Sequence, residues 1–270
     1  MARKTKESAD YGLDAPGVVR WLLFGGGIAL VVGLTFLTGE VGKGWKAQYA
    51  LADMLSEIGM GCLAGGILML GSSYYGKFRI RDRLLRQLHL RGDEAVLDLG
   101  CGHGLLLIGA AKLLPRGRVV GIDLWSQVDQ SNNSRKVTLR NSEIEGVAGR
   151  VEVHDGDMRK LPFAEGSFDA VVAHFAIHNI PSREGRREAI REVVRVLKPG
   201  GQVALSDLKS VGVYADELRK SGMNGVKVSM PSFWTWPPSR TTVAHKPSRT
   251  AQFAGAGRIH SEGESSRRKE

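Results

Sequence analysis

The sequence predicts an α/β fold, a parallel sheet covered by helices on both faces, preceded by two helices of membrane-spanning length. Two observations carry the first part. EAVLDL (94–99), RVVGIDL (118–124), RVEVHD (150–155), FDAVVAHF (168–175) and QVALSDL (202–208) are short runs rich in Val and Leu, and their apolar character on both faces is that of strands buried from both sides. Helix-like segments separate them, and five strands so spaced imply a parallel sheet with helical crossovers. The third observation is a pair of uncharged eighteen-residue stretches, WLLFGGGIALVVGLTFLT (21–38) and IGMGCLAGGILMLGSSYY (58–75), each about the minimum length that crosses a bilayer.

The two apolar stretches predict helices over about 18–38 and 55–75. Glycine is costly in a water-soluble helix but frequent where two membrane helices approach closely; Gly25–Gly27 and Gly59, Gly61, Gly65 and Gly66 therefore support a packed hairpin. Trp21, Trp45, Tyr49, Tyr74 and Tyr75 stand near the span ends, where interfacial aromatics belong. Arg3, Lys4, Lys6 and Arg20 precede the first span and Lys77–Arg86 follow the second, so the positive-inside rule puts both outer flanks, and the remaining chain, in the cytoplasm. Two rivals stay open: a signal peptide, which the lack of a small-residue cleavage site and the second span oppose, and a pair of helices buried in soluble protein or lying at the interface.

Size, charge and cysteines agree with this plan. A chain of 270 residues buries one full core with a small appendage. The net charge of +10 is uneven, with six Lys or Arg against Asp82 alone between Lys77 and Arg91. That run reads as a solvated helix face or as a patch held against anionic lipid headgroups. Cys62 and Cys101 make no disulfide framework. The expected domains are 1–75, a membrane segment; 76–247, the sheet domain; and 248–270, a polar Gly/Ser-rich tail expected to be disordered.

Within the sheet domain the clearest helix is 182–197. Ser182 can cap its start, Ile190, Val193, Val194 and Leu197 form its apolar stripe, and Pro199, Gly200 and Gly201 stop it. Parallel sheets bind ligands at the carboxyl ends of their strands. There the sequence places Asp98 with Gly100, Gly102 and Gly104 after the first strand, and Asp123 at the end of the second. Asp157 and Met158 follow the third strand, and His174 ends the fourth. The glycines allow a tight turn and close backbone approach by a ligand, the next helix offers free N–H groups, and Asp123 is placed to accept hydrogen bonds from a ribose diol.

With VLDLGCGHG, GIDLW, HDGDMRKLPFAEGSFDAVVAHFAIHNI and EVVRVLKPGGQVALSDL, residues from about 78 to 247 resemble the class I S-adenosylmethionine-dependent methyltransferases. The resemblance implies a Rossmann-like, doubly wound, seven-stranded sheet with an antiparallel seventh strand, for which GVKVSM (225–230) and TTVAHKP (241–247) supply the last two strands around a hairpin-like SFWTWPP. It implies S-adenosylmethionine as cofactor, with Gly100, Cys101, Gly102 and Gly104 against its methionine part and Asp98 nearby. Asp123, with Leu124 beside it, would hold the ribose, and Asp157 and Met158 would flank the adenine. His174 would touch the cofactor's amino-acid portion or the entrance to the acceptor site. A nicotinamide-dependent dehydrogenase is the rival for the glycine loop; the acid before the glycines and the G-x-G-x-G spacing oppose it.

Methyl transfer from a sulfonium requires mainly alignment of a nucleophile, and a base only if the acceptor arrives protonated. His174 and His178 are the candidate bases; otherwise they orient loop backbone or cofactor. In WSQVDQSNNS (125–134), Asp129 and Gln130, with Asn179 after the fourth strand, are candidate acceptor contacts, or the segment is a solvated loop. The scarcity of cysteines disfavours arsenic chemistry, and no double-Glu loop or Asn/Asp-Pro-Pro-aromatic tetrapeptide supports protein-arginine or nucleic-acid methylation. No metal site is expected. The expectation is a membrane-tethered methyltransferase acting on a small-molecule or lipid-like acceptor; the alternative is a catalytically inactive, cofactor-binding regulator or scaffold of the same fold.

Overall fold

The computed structural model describes residues 7–38, 46–126, 130 and 132–248. Asp129 and all of the expected tail beyond Ser248 lie outside the described residues. The chain begins with two long helices, α1 (Pro16–Thr38) and α2 (Lys46–Gly71). Pro16 opens α1 at the position where a missing N–H costs nothing. The second helix starts earlier than the expected residue 55 and does not end at Tyr75. A single wider turn, Ser72–Gly76, carries it into α3 (Lys77–Gln87).

Glycines set the approach of α1 and α2. A Cβ on Gly26 would lie 3.0 Å from the Gly59 carbonyl oxygen and 2.7 Å from Cys62 Cβ, and one on Gly33 would lie 2.8 Å from the Ala52 carbonyl oxygen. Gly26 meeting Gly59 while Gly33 meets Ala52 makes the pair antiparallel, with backbones in contact as small residues permit. Both helices are long and apolar enough to cross a membrane by length and composition. Their outer faces leave Phe24, Ile28, Val31, Met60 and Ile67 exposed.

The sheet contains β1 (Ala95–Leu99), β2 (Arg118–Asp123), β3 (Val151–Asp155), β4 (Phe168–His174), β5 (Leu197–Asp207), β6 (Asn224–Val228) and β7 (Arg240–His245), in the order β3-β2-β1-β4-β5-β7-β6. The first five strands pair in parallel, and β7 is antiparallel to both β5 and β6, as expected of the seventh strand. Between the strands lie α4 (Leu105–Leu113), α5 (Arg135–Ile144), α6 (Arg183–Val196) and α7 (Val211–Lys220). The Ser182 hydroxyl accepts from the Gly185 N–H to start α6. The helix ends at Val196, and Leu197 turns extended to pair with Phe168, so β5 begins before the Pro-Gly-Gly stop rather than after it.

Strand side chains alternate between two cores, as a pleated sheet requires. Leu97, Leu99, Val120, Ile122, Val171 and Ala173 face α6 and α7 on one side. Val96, Val119, Val153, Ala170 and Val172 face α3 and α4 on the other. The basic run of α3 is therefore an amphipathic helix: Ile80, Leu84 and Leu85 enter the second core while Arg79, Arg83 and Arg86 face outward. Lys77 departs from the expected basic patch, being 3% exposed. Residues 9–14, which the sequence assigns to the membrane segment, lie on the sheet domain instead. Tyr11 joins the second core and meets Phe78 edge-on, with ring centroids 5.5 Å apart.

Candidate functional site

The order of the sheet reverses between β1 and β4, and ligands bind α/β sheets at such switch points. Here the carboxyl ends of β1, β2, β4 and β5 meet a cavity of about 260 Å³. The glycine loop after β1 forms its floor. Gly100 donates to the Ile122 carbonyl at 2.8 Å and Gly102 to Asp123 Oδ2 at 2.8 Å, which ties the loop to β2. Gly100 has φ +66°, and a Cβ there would lie 2.4 Å from Ala176 Cβ; only glycine leaves the turn and the cavity open. Gly104 does not line the cavity. With φ +88° it begins α4, whose first N–H groups thereby face the loop.

Asp98, Gly100, Cys101, Gly102, Asp123, Leu124 and Met158 all border this cavity. The Asp98 carboxyl is 2% exposed, and its Oδ2 has no protein partner. Burial, reinforced by the neighbouring Asp123 charge, pushes it well above the usual carboxylate range. A buried acid with one unpartnered oxygen is suited to a cationic ligand group. Asp123 accepts from Gly102 N–H, Trp125 N–H and Asn133 Nδ2, at 2.8, 2.6 and 3.3 Å. Cys101 turns its sulfur toward Gly121 of β2, where a Cβ would lie 2.7 Å away. Burial and the charges of Asp98 and Asp123 push its thiol pKa up, so it stays protonated and acts as packing.

Asp157, like Gly104, does not line the cavity. Its carboxylate closes on Arg159, accepting from Nε at 2.8 Å and from the Arg159 backbone N–H at 2.8 Å. This charge-assisted pair inside one turn holds it away from the cavity. Gln130 reaches the cavity but bridges protein groups, accepting from the His103 N–H at 3.2 Å and donating to the Tyr11 carbonyl at 2.9 Å. It thus clasps residues 10–12 to the glycine loop. Asn179 lines the cavity and is exposed.

The two histidines differ in setting. His174, at the end of β4, stacks on Phe175 with centroids 3.9 Å apart, and both of its ring nitrogens are buried without a protein partner. Burial, then the Lys77 and His178 charges, pushes its pKa down to about 3. His178 follows in the short helical turn after β4, and its Nδ1 lies 2.5 Å from Asp207 Oδ1. Asp207 ends β5, is 2% exposed, and also accepts from the His178 N–H at 3.0 Å and the Tyr214 hydroxyl at 2.9 Å. Burial and the Asp207 charge raise the Tyr214 pKa, which keeps it a donor. The hydrogen bond from the His178 backbone N–H to Asp207 ties the turn after β4 to the end of β5.

Several cavity residues escaped the sequence reading. Lys77 donates to the Tyr11 and Gly12 carbonyls at 2.9 and 2.6 Å, holding residues 11–14 over the cavity. Its spacing with Ile80 and Leu84 on one helix face was the available signal. Asp207, buried behind the cavity wall, ends QVALSDL, whose pattern predicts only a strand. Residues 9–15, Trp236 and Pro237 carried no local signal.

Comparison with known proteins follows the same lines. Residues 97–205 match the family model described as a methyltransferase domain. The chain is 33% identical over 186 residues to the 27-O-demethylrifamycin SV methyltransferase of Amycolatopsis mediterranei, covering 67% of this chain and 64% of that protein. It is 31% identical over 128 residues to the demethylmenaquinone methyltransferase of Lactobacillus johnsonii, covering 46% of this chain and 48% of that protein. The chain thus spans about half to two thirds of the length of these curated relatives. Among solved structures it resembles the [4+2]-cyclase SpnF, with TM-score 0.51, 18% identity, and 63% and 82% of the two chains covered. It also resembles phosphoethanolamine N-methyltransferase 2 of Haemonchus contortus, with TM-score 0.52, 19% identity, and 63% and 52% covered. At these identities the likeness is one of fold, and a fold does not by itself select a reaction.

Proposed function

From a chain whose residues 97–205 match a methyltransferase-domain model, we propose a membrane-tethered, S-adenosylmethionine-dependent enzyme that methylates a lipid-like small molecule. One observation carries the choice of acceptor: the cavity that begins at the glycine loop extends to Met69 and Ser72, where the apolar helix α2 ends. An acceptor dissolved in the bilayer would reach the cofactor without crossing water. The exposed apolar faces of α1 and α2 support the tether, since contiguous apolar patches of this extent are rare on soluble monomers. Arg79, Arg83 and Arg86 beyond the second span support a cytoplasmic sheet domain.

The residues present fit the cofactor. The unpartnered Asp98 Oδ2 suits the α-ammonium, the backbone of Gly100, Cys101 and Gly102 lies where the methionine portion would sit, and Asp123 suits the ribose hydroxyls. Leu124 and Met158 supply apolar surface for the adenine. The bound cofactor supplies an electrophilic methyl group on sulfonium. His174, held neutral, offers a polar but uncharged wall that does not repel that cation. His178, oriented by Asp207, takes the acceptor proton when the nucleophile is a hydroxyl. His178 on the cavity wall, with the buried Asp207 behind it, weighs against the inactive-scaffold alternative.

Demethylmenaquinone, the acceptor named for one group of relatives, is the first to test. The full chain in lipid nanodiscs, given labelled S-adenosylmethionine and reduced demethylmenaquinone, is expected to place label in the lipid extract and release S-adenosylhomocysteine. Label confined to water-soluble metabolites from cell extract would overturn the lipid-like acceptor, and no S-adenosylhomocysteine with any extract would overturn the enzyme. Calorimetry on Asp123→Ala should show cofactor binding lost; unchanged affinity would refute the ribose assignment.

A further inference from the structure

The loop between β6 and β7 carries four exposed apolar side chains: Met230, Phe233, Trp234 and Trp236, at 79%, 76%, 56% and 39% exposure. Its frame is nonetheless ordered. Ser232 and Ser239 exchange backbone hydrogen bonds at 2.7 and 3.2 Å, and the buried Thr235 hydroxyl donates to Ser239 Oγ at 2.8 Å. The small polar groups thus face inward and the aromatic ones outward, the reverse of what burial in water would select.

The loop is also fixed against the helices. A Cβ on Gly76 would lie 1.6 Å from the Trp234 carbonyl oxygen, one on Gly65 would lie 3.9 Å from Trp236 Nε1, and Arg79 Cζ lies 5.3 Å from the centre of the Trp234 ring. Gly65 stands six residues before the end of α2, about 9 Å along its axis, inside its apolar stretch. Trp236 therefore reaches alongside the span, while Arg79, Arg83 and Arg86 on α3 present a cationic stripe beside the aromatic group.

We propose that the 230–236 loop is a second membrane-contact element, an aromatic wedge seated at the headgroup–acyl boundary of an anionic leaflet. The chemistry matches that boundary: amphipathic rings and Arg side chains are favoured there, and the depth follows from the contact at Gly65. Trp236 and Pro237 also line the cavity, so the wedge forms one side of its bilayer-facing opening. The inference rests on the proposed tether.

The test uses the full chain in nanodiscs of phosphatidylcholine and phosphatidylglycerol, with phosphatidylcholine brominated near the headgroup as quencher. One variant keeps Trp234 alone, through Trp21→Phe, Trp45→Phe, Trp125→Phe and Trp236→Phe. A second keeps Trp21 alone in the same way. A clear loss of emission from both is expected, because interfacial indoles sit at headgroup level beside the quencher. Loss from Trp21 but not Trp234 would overturn the wedge and leave the tether standing; loss from neither would overturn both. If the multiple variant does not fold, benzoylphenylalanine at position 233 in the otherwise unaltered chain gives the second reading. Lipid adducts on illumination support the wedge, and their absence overturns it.

Discussion

His178 Nδ1, in the turn that follows β4, lies 2.5 Å from Asp207 Oδ1 at the end of β5, and the Tyr214 hydroxyl donates to the same carboxylate. A carboxylate this close to the ring helps to position the imidazole. Asp207→Asn is expected to lower kcat by about 10- to 1,000-fold with a hydroxyl acceptor, as loss of an oriented base does, while cofactor affinity changes little. Tyr214→Phe should have a smaller effect. Turnover that survives Asp207→Asn intact would show that the acceptor does not need this base.

Asp98 gives a prediction about protons. With its folded pKa raised, it retains a proton at pH values where an ordinary carboxyl has lost it, so its contribution to stability is present at low pH and lost as pH rises through the raised value. Binding the α-ammonium of the cofactor reverses the preference and expels that proton. Calorimetry in buffers of different ionisation enthalpy should therefore record proton release, with affinity rising with pH. Asp98→Asn should stabilise the cofactor-free protein at neutral pH and weaken cofactor binding by about 10- to 100-fold, the size of a lost hydrogen bond to charge.

His174 has the opposite sign. Its pKa is pushed down to about 3 from 6.5, so the unfolded chain takes up a proton first as pH falls. Its contribution is complete above about pH 6.5 and is lost progressively from there toward pH 3. In His174→Gln the acid-side loss of stability should be shallower than in the unaltered protein, measured by denaturation in detergent. The His174 ring signal should not titrate between about pH 5 and 8 in the folded state.

The helix pair can be tested at its closest approach. A Cβ on Gly59 would lie 2.6 Å from the Leu30 nitrogen, whereas nothing lies within 4 Å of one on Gly61. Gly59→Leu should destabilise the hairpin by about 1–3 kcal/mol, the cost of overpacking, read as a lowered unfolding midpoint in mild detergent. Gly61→Leu should leave the midpoint nearly unchanged. Equal effects at the two positions would mean that this face does not hold the helices together.

By itself the sequence determined the parallel strands and the placing of Asp98, Asp123, Met158 and His174 at their carboxyl ends, while the antiparallel seventh strand came from the family resemblance. Alternating apolar runs fix the sheet, and a parallel sheet delivers all of its carboxyl ends to one edge. Tertiary structure decided what local pattern does not encode. Lys77 looks like surface charge until the carbonyls of Tyr11 and Gly12 are seen around it, sixty-six and sixty-five residues away. Asp207 becomes a partner only because β5 pairs with β4 and brings it to His178. Asp157 had the right place in the chain, yet a nearer guanidinium took its carboxylate. Strand ends are set by short-range periodicity. Which side chains complete the cavity depends on long-range packing, where hydrogen-bond geometry chooses among residues of similar chemistry.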